Sequence, residues 1–305
     1  MSSGVPGSDP LTRATAWILG AIDQFEIAGH QGEEQIGLVK PFSELVLCCH
    51  LMRTNLGATP FTETVFRWAW SQAEGCAVFR RILAARPDLY QLGLPVYCFR
   101  AAGFDVDRTL PVLAAVSRTR AFLRYESEQW VRVAAAYAYD RLGLRPMSRA
   151  DFEGTWLLHR PEPWLINTAS IYALTHEVFY LTDFGRRIDL CDQQTRAYVN
   201  CWGPVWSDYF LEKRDFDVLG ELLIIAHCLG LDWESRFRRE MLAAQLDDGA
   251  FPGPKRAGQQ FANPSDSPTR TAFLGCYHTT LVAMIYLSMT AGSTAKARPM
   301  TAGVV

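Results

Sequence analysis

The fold of this chain is indicated by three similar segments, SIYALTHEVFYL (170–181), ELLIIAHCLGLD (221–232) and AFLGCYHTTLVA (272–283). Each segment carries one histidine within a strongly apolar stretch, and consecutive histidines are 51 residues apart. Apolar residues precede each histidine by five and four positions, which is the spacing of one helix face. A more polar amphipathic segment separates each pair. The pattern predicts a helical repeat of one apolar and one amphipathic helix.

The rest of the chain has the same helical character. It shows no convincing two-residue alternation of apolar and polar residues, so no strands are predicted. Helices are predicted over residues 10–25, 41–54, 61–85, 88–101, 106–121, 125–141, 148–158, 166–182, 192–211, 216–229, 232–246 and 270–289. Dividing 305 residues by the 51-residue period gives about six helix pairs. We therefore expect an all-α fold, an α/α toroid of about six pairs that forms one domain over residues 1–290, followed by a flexible tail over 291–305.

Composition limits the classes of partner. The net charge of -2 argues against nucleic acid, which requires a concentrated basic surface. The N-terminal stretch lacks a secretory signal pattern, and the most apolar segment, Thr271 to Ala291, reads as a buried helix instead of a membrane span. Eight cysteines without an export signal are expected to be reduced thiols in the cytoplasm. A small-molecule substrate is the expected partner, and the oligomeric state is left open.

Two segments near the C-terminus resemble a known superfamily. DDGAFPGP (247–254) and YHTTLVAMIYLS (277–288) are similar to the last repeat of the α/α-toroid proteins, which include terpene cyclases and protein prenyltransferase β-subunits. The stretch Q-x-x-D-G-x-F/W of that superfamily is matched by Gln245, Asp248, Gly249 and Phe251. The resemblance implies a toroid of a bacterial branch. It also places His278 where prenyltransferases have a zinc-ligand histidine. Their D-x-C motif, and the D-x-D-D and D-D-x-x-D motifs of the cyclases, do not occur at the corresponding places.

Three histidines at one level of such a ring would suit a divalent metal ion. We predict that His176, His227 and His278 bind it, with Asp183 as a fourth ligand or as a residue that orients a histidine ring. Zinc is the expected ion, and copper or iron is the alternative. The weaker ligand candidates are Glu177, Glu221, Cys228 and Cys276. The candidate catalytic residues are Asp183, Tyr277 and Glu177.

The predicted function is that of a metal-dependent enzyme acting on a small organic substrate, such as a specialised metabolite, in the central cavity. The loop from Gly249 to Arg270, with four prolines and three glycines, is expected to close over it. Two alternatives stay open. One is a metal-free enzyme similar to terpene cyclases or prenyltransferases, and the other is a non-catalytic toroid that binds a ligand or peptide.

Overall fold

The computed structural model describes residues 9–120, 122, 128–254 and 266–297. Throughout these residues the regular secondary structure is helical and no strand is present, which confirms the all-α prediction. The α-helices are α1 (Pro10–Gly20), α2 (Gly32–Leu56), α3 (Pro60–Gln72), α4 (Ala77–Ala85), α5 (Gly93–Ala101), α6 (Leu110–Ser117), α7 (Gln129–Arg141), α8 (Trp156–His159), α9 (Thr168–Leu181), α10 (Gln193–Glu212), α11 (Phe216–Leu229), α12 (Glu234–Ala243), α13 (Pro268–Leu274) and α14 (Tyr277–Ala297).

Several helices begin at side chains that accept hydrogen bonds from their first free backbone N–H groups. The Asp9 carboxylate accepts from the backbone N–H of Leu11 and Thr12, and Pro10 occupies the first helical position. Asn167 caps α9 in the same way, and Asp215 caps α11. These short polar residues fix where the apolar helices start, and thereby which of their faces reaches the interior.

Six helices pack against one another in a cycle, and this arrangement positions the site. Helix α2 packs against α5, α5 against α7, α7 against α9, α9 against α11, α11 against α14, and α14 again against α2. Other helices pack against members of this cycle: α1 against α14, α3 against α2, α8 against α9, and both α10 and α12 against α11. The apolar histidine segments of the sequence all belong to the cycle.

Several predicted helices are interrupted, among them those over 61–85 and 270–289. The prediction over 61–85 is divided into α3 and α4, because Glu74, Gly75 and Cys76 adopt positive φ angles that end one helix before the next begins. The prediction over 270–289 is divided between α13 and α14 by a turn at Gly275–Cys276.

The last helix is also longer than predicted. Helix α14 continues through Ala297, into the segment 291–305 that was expected to be a flexible tail, while residues 298–305 lie outside the described part of the chain. Gly292 lies so close to α2 that an added Cβ atom would be 2.6 Å from the backbone oxygen of Asn55. The two helices therefore approach each other closely at Gly292.

One segment, Pro268–Gly292, is long and apolar enough to span a membrane by length and composition alone. Of its most apolar window, 72% is buried within the structure. That burial is what a core helix of a folded domain shows, and α14 lies between α2 and α11. The lack of a membrane span stays a prediction.

Candidate functional site

A cavity of about 280 Å³ lies among the six helices of the cycle, and each of them contributes to its wall. Most of the lining is aliphatic or aromatic, as is usual for sites that bind small organic molecules. Charged and hydrogen-bonding side chains are also present in the wall, and those used below are Lys40, Ser43, Glu44, His176, Glu221 and His278. We call this space the central cavity.

His278 is the most strongly held of these side chains. Its Nδ1 lies 2.7 Å and 2.9 Å from the two carboxylate oxygens of Asp217. Asp217 also accepts hydrogen bonds from the hydroxyls of Thr279 (2.9 Å) and Tyr172. The other ring nitrogen of His278, Nε2, is 3.7 Å from Oε1 of Glu44. The imidazole is thus placed between two carboxylates, one on α11 and one on α2.

This position makes His278 a cation at neutral pH. Burial alone would lower its pKa, but the negative charges of Asp217 and Glu44 outweigh that effect and raise the pKa to about 9. Burial opposes ionisation of Asp217 as well, but His278 and the neighbouring hydroxyls lower the pKa of this carboxyl to about 2. The two residues form a charged pair, and Nε2 of His278 carries a proton at the wall of the cavity.

Glu44 lies between His278 and the exposed side chain of Lys40. Its carboxylate accepts hydrogen bonds from Lys40 Nζ (2.6 Å) and from the hydroxyl of Tyr277 (3.1 Å). The side chain of Lys40 is 68% exposed, whereas that of Glu44 is 24% exposed. Burial works against ionisation of Glu44, but the adjacent cations of Lys40 and His278 lower its pKa. Tyr277, a predicted catalytic residue, therefore supports Glu44 and is absent from the cavity wall.

His176 differs from His278 in its charge. Its Nδ1 is 2.7 Å from the backbone oxygen of Tyr172, so Nδ1 carries the hydrogen and donates it. Burial lowers the pKa of His176 to about 4, and the ring is neutral at pH 7. The ring packs beside Trp130, with the centroids 4.7 Å apart. The neutral ring leaves Nε2 as a hydrogen-bond acceptor in the wall of the cavity.

Glu221 is a buried carboxyl that lines the same cavity. The hydroxyl of Thr175 donates a hydrogen bond to its Oε2, and His176 Nδ1 is 3.6 Å from that oxygen. Burial raises the pKa of Glu221 to about 8, so most of it is protonated at pH 7. Among the described residues its other oxygen, Oε1, has no hydrogen-bond partner.

Besides Tyr277, three predicted site residues lie outside the cavity wall, namely Asp183, Glu177 and His227. Asp183 has a positive φ of 49° just after α9, where it accepts a hydrogen bond from the hydroxyl of Tyr137 (2.7 Å). It also forms ion pairs with Arg141 and with Arg186, the latter at 3.4 Å. Both carboxylate oxygens are thereby engaged in binding side chains of α7 and of the turn after α9.

The side chain of Glu177 contacts helix α8 instead of the cavity. Its Oε2 accepts a hydrogen bond from the backbone N–H of Leu157 at 2.7 Å, so the side chain joins α9 to the start of α8. The other oxygen, Oε1, is buried without a partner in the described structure, and burial raises the pKa to about 7. Glu177 is therefore a structural contact between two helices, and not a group in the cavity.

His227 is also placed elsewhere. Its Nδ1 is 3.4 Å from Oε2 of Glu234 on α12, and Glu234 accepts a second hydrogen bond from the hydroxyl of Tyr286 (2.6 Å). His227 does not line the cavity that His176 and His278 share. The described residues contain no group of three or more His, Cys, Asp or Glu side chains that could hold a metal ion. His227 is therefore separated from the cavity wall that His176 and His278 share, and the zinc, copper or iron site stays a prediction.

The reason lies in how the helices face one another. Hydrogen bonds from α9 to α11 join residues 45 and 46 apart, and those between α11 and α14 join residues 61 and 62 apart. The 51-residue spacing of the histidines matches neither of these separations, so the histidines do not lie opposite one another on adjacent helices. His176 is the ninth residue of its helix, His227 the twelfth and His278 the second. On α11 the residues that line the cavity are Glu221 and Ile224, and His227, six positions after Glu221, lies about 120° from it around the helix.

The sequence reasoning missed three residues of the site: Lys40, Glu44 and Asp217. Two spacings could have indicated them. Lys40 and Glu44 are four residues apart, which places both on one helix face. Asp217 and Glu221 have the same spacing in a helix that is otherwise almost wholly apolar. Two carboxyls on one face of a buried helix require partners inside the fold.

The beginning of the predicted closing loop is fixed. Phe251 is fully buried, and its backbone N–H donates to the hydroxyl of Thr280 at 2.9 Å. Gly249 has a φ of 100°, and a Cβ atom there would be 2.4 Å from the backbone oxygen of Arg13. These residues attach the loop to α1 and α14. The central part of the predicted loop, residues 255–265, lies outside the described residues.

Comparison with known proteins gives a family and no described activity. A family model described as Domain of unknown function (DUF6895) matches residues 11–288. No curated protein and no solved structure matches the chain. The match spans the whole cycle of helices up to Ser288 in α14, and every side chain assigned above to the cavity wall falls within it.

Proposed function

This chain belongs to the DUF6895 family, and we propose that it is an enzyme that binds a small, largely apolar organic molecule in the central cavity. In this proposal His278 donates a proton or a hydrogen bond to a polar atom of that molecule. The observation that supports it is the placement of His278 in the wall of a largely apolar chamber, with its Nδ1 hydrogen-bonded to Asp217.

The chemistry follows from the surroundings of the ring. Asp217 fixes the orientation of the imidazole and stabilises its positive charge. The other ring nitrogen, Nε2, faces the cavity and lies 3.7 Å from Oε1 of Glu44. A fixed cationic donor in a poorly hydrated chamber interacts more strongly with a developing negative charge than the same donor does in water. His278 can therefore polarise an oxygen of the bound molecule or transfer a proton to it.

We also propose that the cycle of helices is the inner ring of an α/α toroid. The support is that α2, α5, α7, α9, α11 and α14 contact one another in order and close on themselves, with other helices packed against them. The central cavity among these helices is where such an architecture would bind its ligand. The C-terminal resemblance to toroid proteins points in the same direction.

Acid–base chemistry is preferred to metal chemistry for this site. Only two of the three predicted histidine ligands line the cavity, and one of those two is a cation already paired with Asp217. A metal ligand must be a neutral imidazole, so bringing His278 to an ion would require its proton to leave. The predicted zinc enzyme stays a prediction that the residue placement does not favour.

Calorimetric titration with 2-octanone tests the proposed function. This probe has an apolar chain and one acceptor oxygen. The wild-type protein is expected to bind it, and Ile224→Phe, which adds bulk to the cavity wall, is expected to abolish binding. His278→Gln removes a charge-assisted hydrogen bond, which is of the order of 1.5–3 kcal/mol, and should weaken the affinity about tenfold or more.

The matched control is His227→Gln, which changes the same residue type on a helix of the same cycle but outside the cavity. It is expected to bind 2-octanone as the wild type does. Circular dichroism of every variant establishes that it is folded. Failure of the wild-type protein to bind 2-octanone, or equal affinity of the folded His278→Gln variant and the wild type, contradicts the proposal.

A further inference from the structure

Glu221 is an ionisable group of the cavity wall to which the proposed function gives no role. It follows Asp217 by one turn on α11, a spacing that brings Cβ atoms within about 5–6 Å of each other. Asp217 in turn contacts His278 directly. Both Glu221 and His278 line the cavity, so its wall presents a carboxyl and an imidazole side by side from two adjacent helices.

The surroundings of Glu221 differ from those of the other carboxylates here. Glu44 is paired with Lys40, and Asp217 with His278. Glu221 is 2% exposed, and the described structure gives it no ion pair with lysine or arginine. Thr175 holds one carboxyl oxygen and leaves Oε1 without a hydrogen bond. A buried carboxyl group that is hydrogen-bonded through one oxygen, while its other oxygen has no partner, can exchange a proton with a bound molecule.

We propose that Glu221 is the base that completes the acid site of His278, and that the substrate is a carbonyl compound bearing hydrogen on the adjacent carbon. This inference rests on the proposed function and names its substrate class. A carbonyl oxygen accepts a hydrogen bond from the cationic ring, and the carbon beside it presents its hydrogen a short distance away. An uncharged carbonyl compound also enters an apolar chamber without the cost of burying a charge.

The step balances without any further reactant. The Glu221 carboxylate takes the proton from the α carbon, and the electron pair of that C–H bond forms the carbon–carbon double bond of an enol. The π electrons of the carbonyl move to its oxygen, which takes the proton from His278 Nε2. Once the Glu221 carboxyl has exchanged its proton with water, delivery of the solvent-derived proton to the same carbon gives exchange, and delivery of the proton to a conjugated carbon moves a double bond. His278 then recovers its proton from the hydroxyl oxygen.

The protonation states are compatible with these roles. The raised pKa of Glu221, about 8, makes it a stronger base than an ordinary glutamate, while the pKa of His278 near 9 keeps it protonated over the same pH range. General bases and acids work best with pKa values near the operating pH. Catalysis is therefore expected to be greatest at mildly alkaline pH.

Uptake of deuterium into 2-octanone tests the inference. The ketone is incubated with protein in D₂O at pD 8, and proton NMR follows the loss of the hydrogens at C1 and C3. Wild-type protein is expected to accelerate exchange at least tenfold over buffer. Glu221→Gln should return the rate to the buffer level while the calorimetric affinity for 2-octanone is kept.

Glu177→Gln is the matched control, because Glu177 is also a buried glutamate on the cycle with a raised pKa, but it faces α8. This variant should catalyse deuterium uptake into 2-octanone at a rate within about twofold of that of the wild type. Binding of 2-octanone without faster exchange, or equal exchange by Glu221→Gln and wild type, overturns the inference and leaves the proposed function standing. Absence of binding overturns both.

Discussion

His278 and His227 occupy the same place in the 51-residue sequence pattern, on neighbouring helices, and yet have different environments. His278 lies between Asp217 and Glu44 in the wall of the central cavity. His227 lies against Glu234 of α12, outside the cavity. Each ring has a carboxylate partner. The two rings differ in that only His278 also faces the central cavity. The role of a histidine in this fold therefore depends on the helix face that it occupies.

The comparison also shows how the carboxylate partner is held. Asp217 is 5% exposed and accepts two hydroxyl hydrogen bonds besides that of His278. Glu234 has a half-buried environment and one tyrosine hydroxyl as a second donor. Interactions in the less hydrated environment have the larger effect when one partner is removed. The predictions below test this contrast in order of the expected size of effect.

The largest effect is expected from Asp217→Asn. The substitution removes the negative charge that stabilises the buried imidazolium, and breaking a buried pair in this way costs about 3–5 kcal/mol. The free energy of unfolding, measured with urea, should fall by that order. The pKa of His278, followed by NMR, should fall from about 9 toward or below its ordinary value of 6.5.

Glu234→Gln is the matched change beside His227. Because the side chain of Glu234 is 17% exposed and that of Asp217 is 7% exposed, we expect a smaller loss of about 1 kcal/mol. Equal losses in the two variants would show that the two histidine pairs do not differ in the way the structure indicates, and an unchanged His278 pKa in Asp217→Asn would mean that another group stabilises its charge.

A pH dependence of stability is the next largest effect. The folded-state pKa of His278 is above its unfolded value, so folding takes up a proton, and this contribution is complete below pH 6.5 and lost as the pH rises through about 9. The pKa of Glu221 is raised from 4.5 to about 8, so its contribution to the stability of the fold also decreases as the pH rises. Thermal melting should therefore show decreasing stability between pH 6.5 and pH 9.

His278→Gln should decrease this slope, and His227→Gln should keep it. Asp217, Glu44 and Lys40, the charged groups nearest to His278, keep their charges over that pH range and do not obscure the comparison. A wild-type stability that is constant or rises between pH 6.5 and pH 9 would contradict the assigned charge of His278.

The fold class could be read from local patterns, because they depend on neighbours in sequence. Apolar residues three and four apart predict helices, and Asp9 before Pro10 correctly predicts the start of α1. The interruption between α3 and α4 could not be predicted in this way. Glu74 and Cys76 adopt left-handed backbone conformations that their residue types disfavour, and only the packing around them accounts for it.

The site could be predicted in part. Its two cavity histidines, His176 and His278, attract attention because a polar ring in an apolar helix needs partners. Their partners could not be identified, since they come from other helices whose alignment is set by connections of unequal length. Asp217 meets His278 across 61 residues, and Glu44 meets Tyr277 across 233. Equal spacing of the histidines in sequence therefore could not predict that His227 lies outside the cavity wall.

The smallest effect is expected from His227→Gln on metal content. A catalytic zinc needs three protein ligands, and the described structure offers only two imidazoles at the cavity, one of them charged. Protein prepared without a histidine tag, incubated with zinc and desalted should contain well below one ion per chain by elemental analysis, and His227→Gln should not change that value. One ion per chain that is lost in both His176→Ala and His227→Ala would require α11 to turn until all three rings meet. Such a result would abolish the contrast between His278 and His227, because the two rings would then share one site.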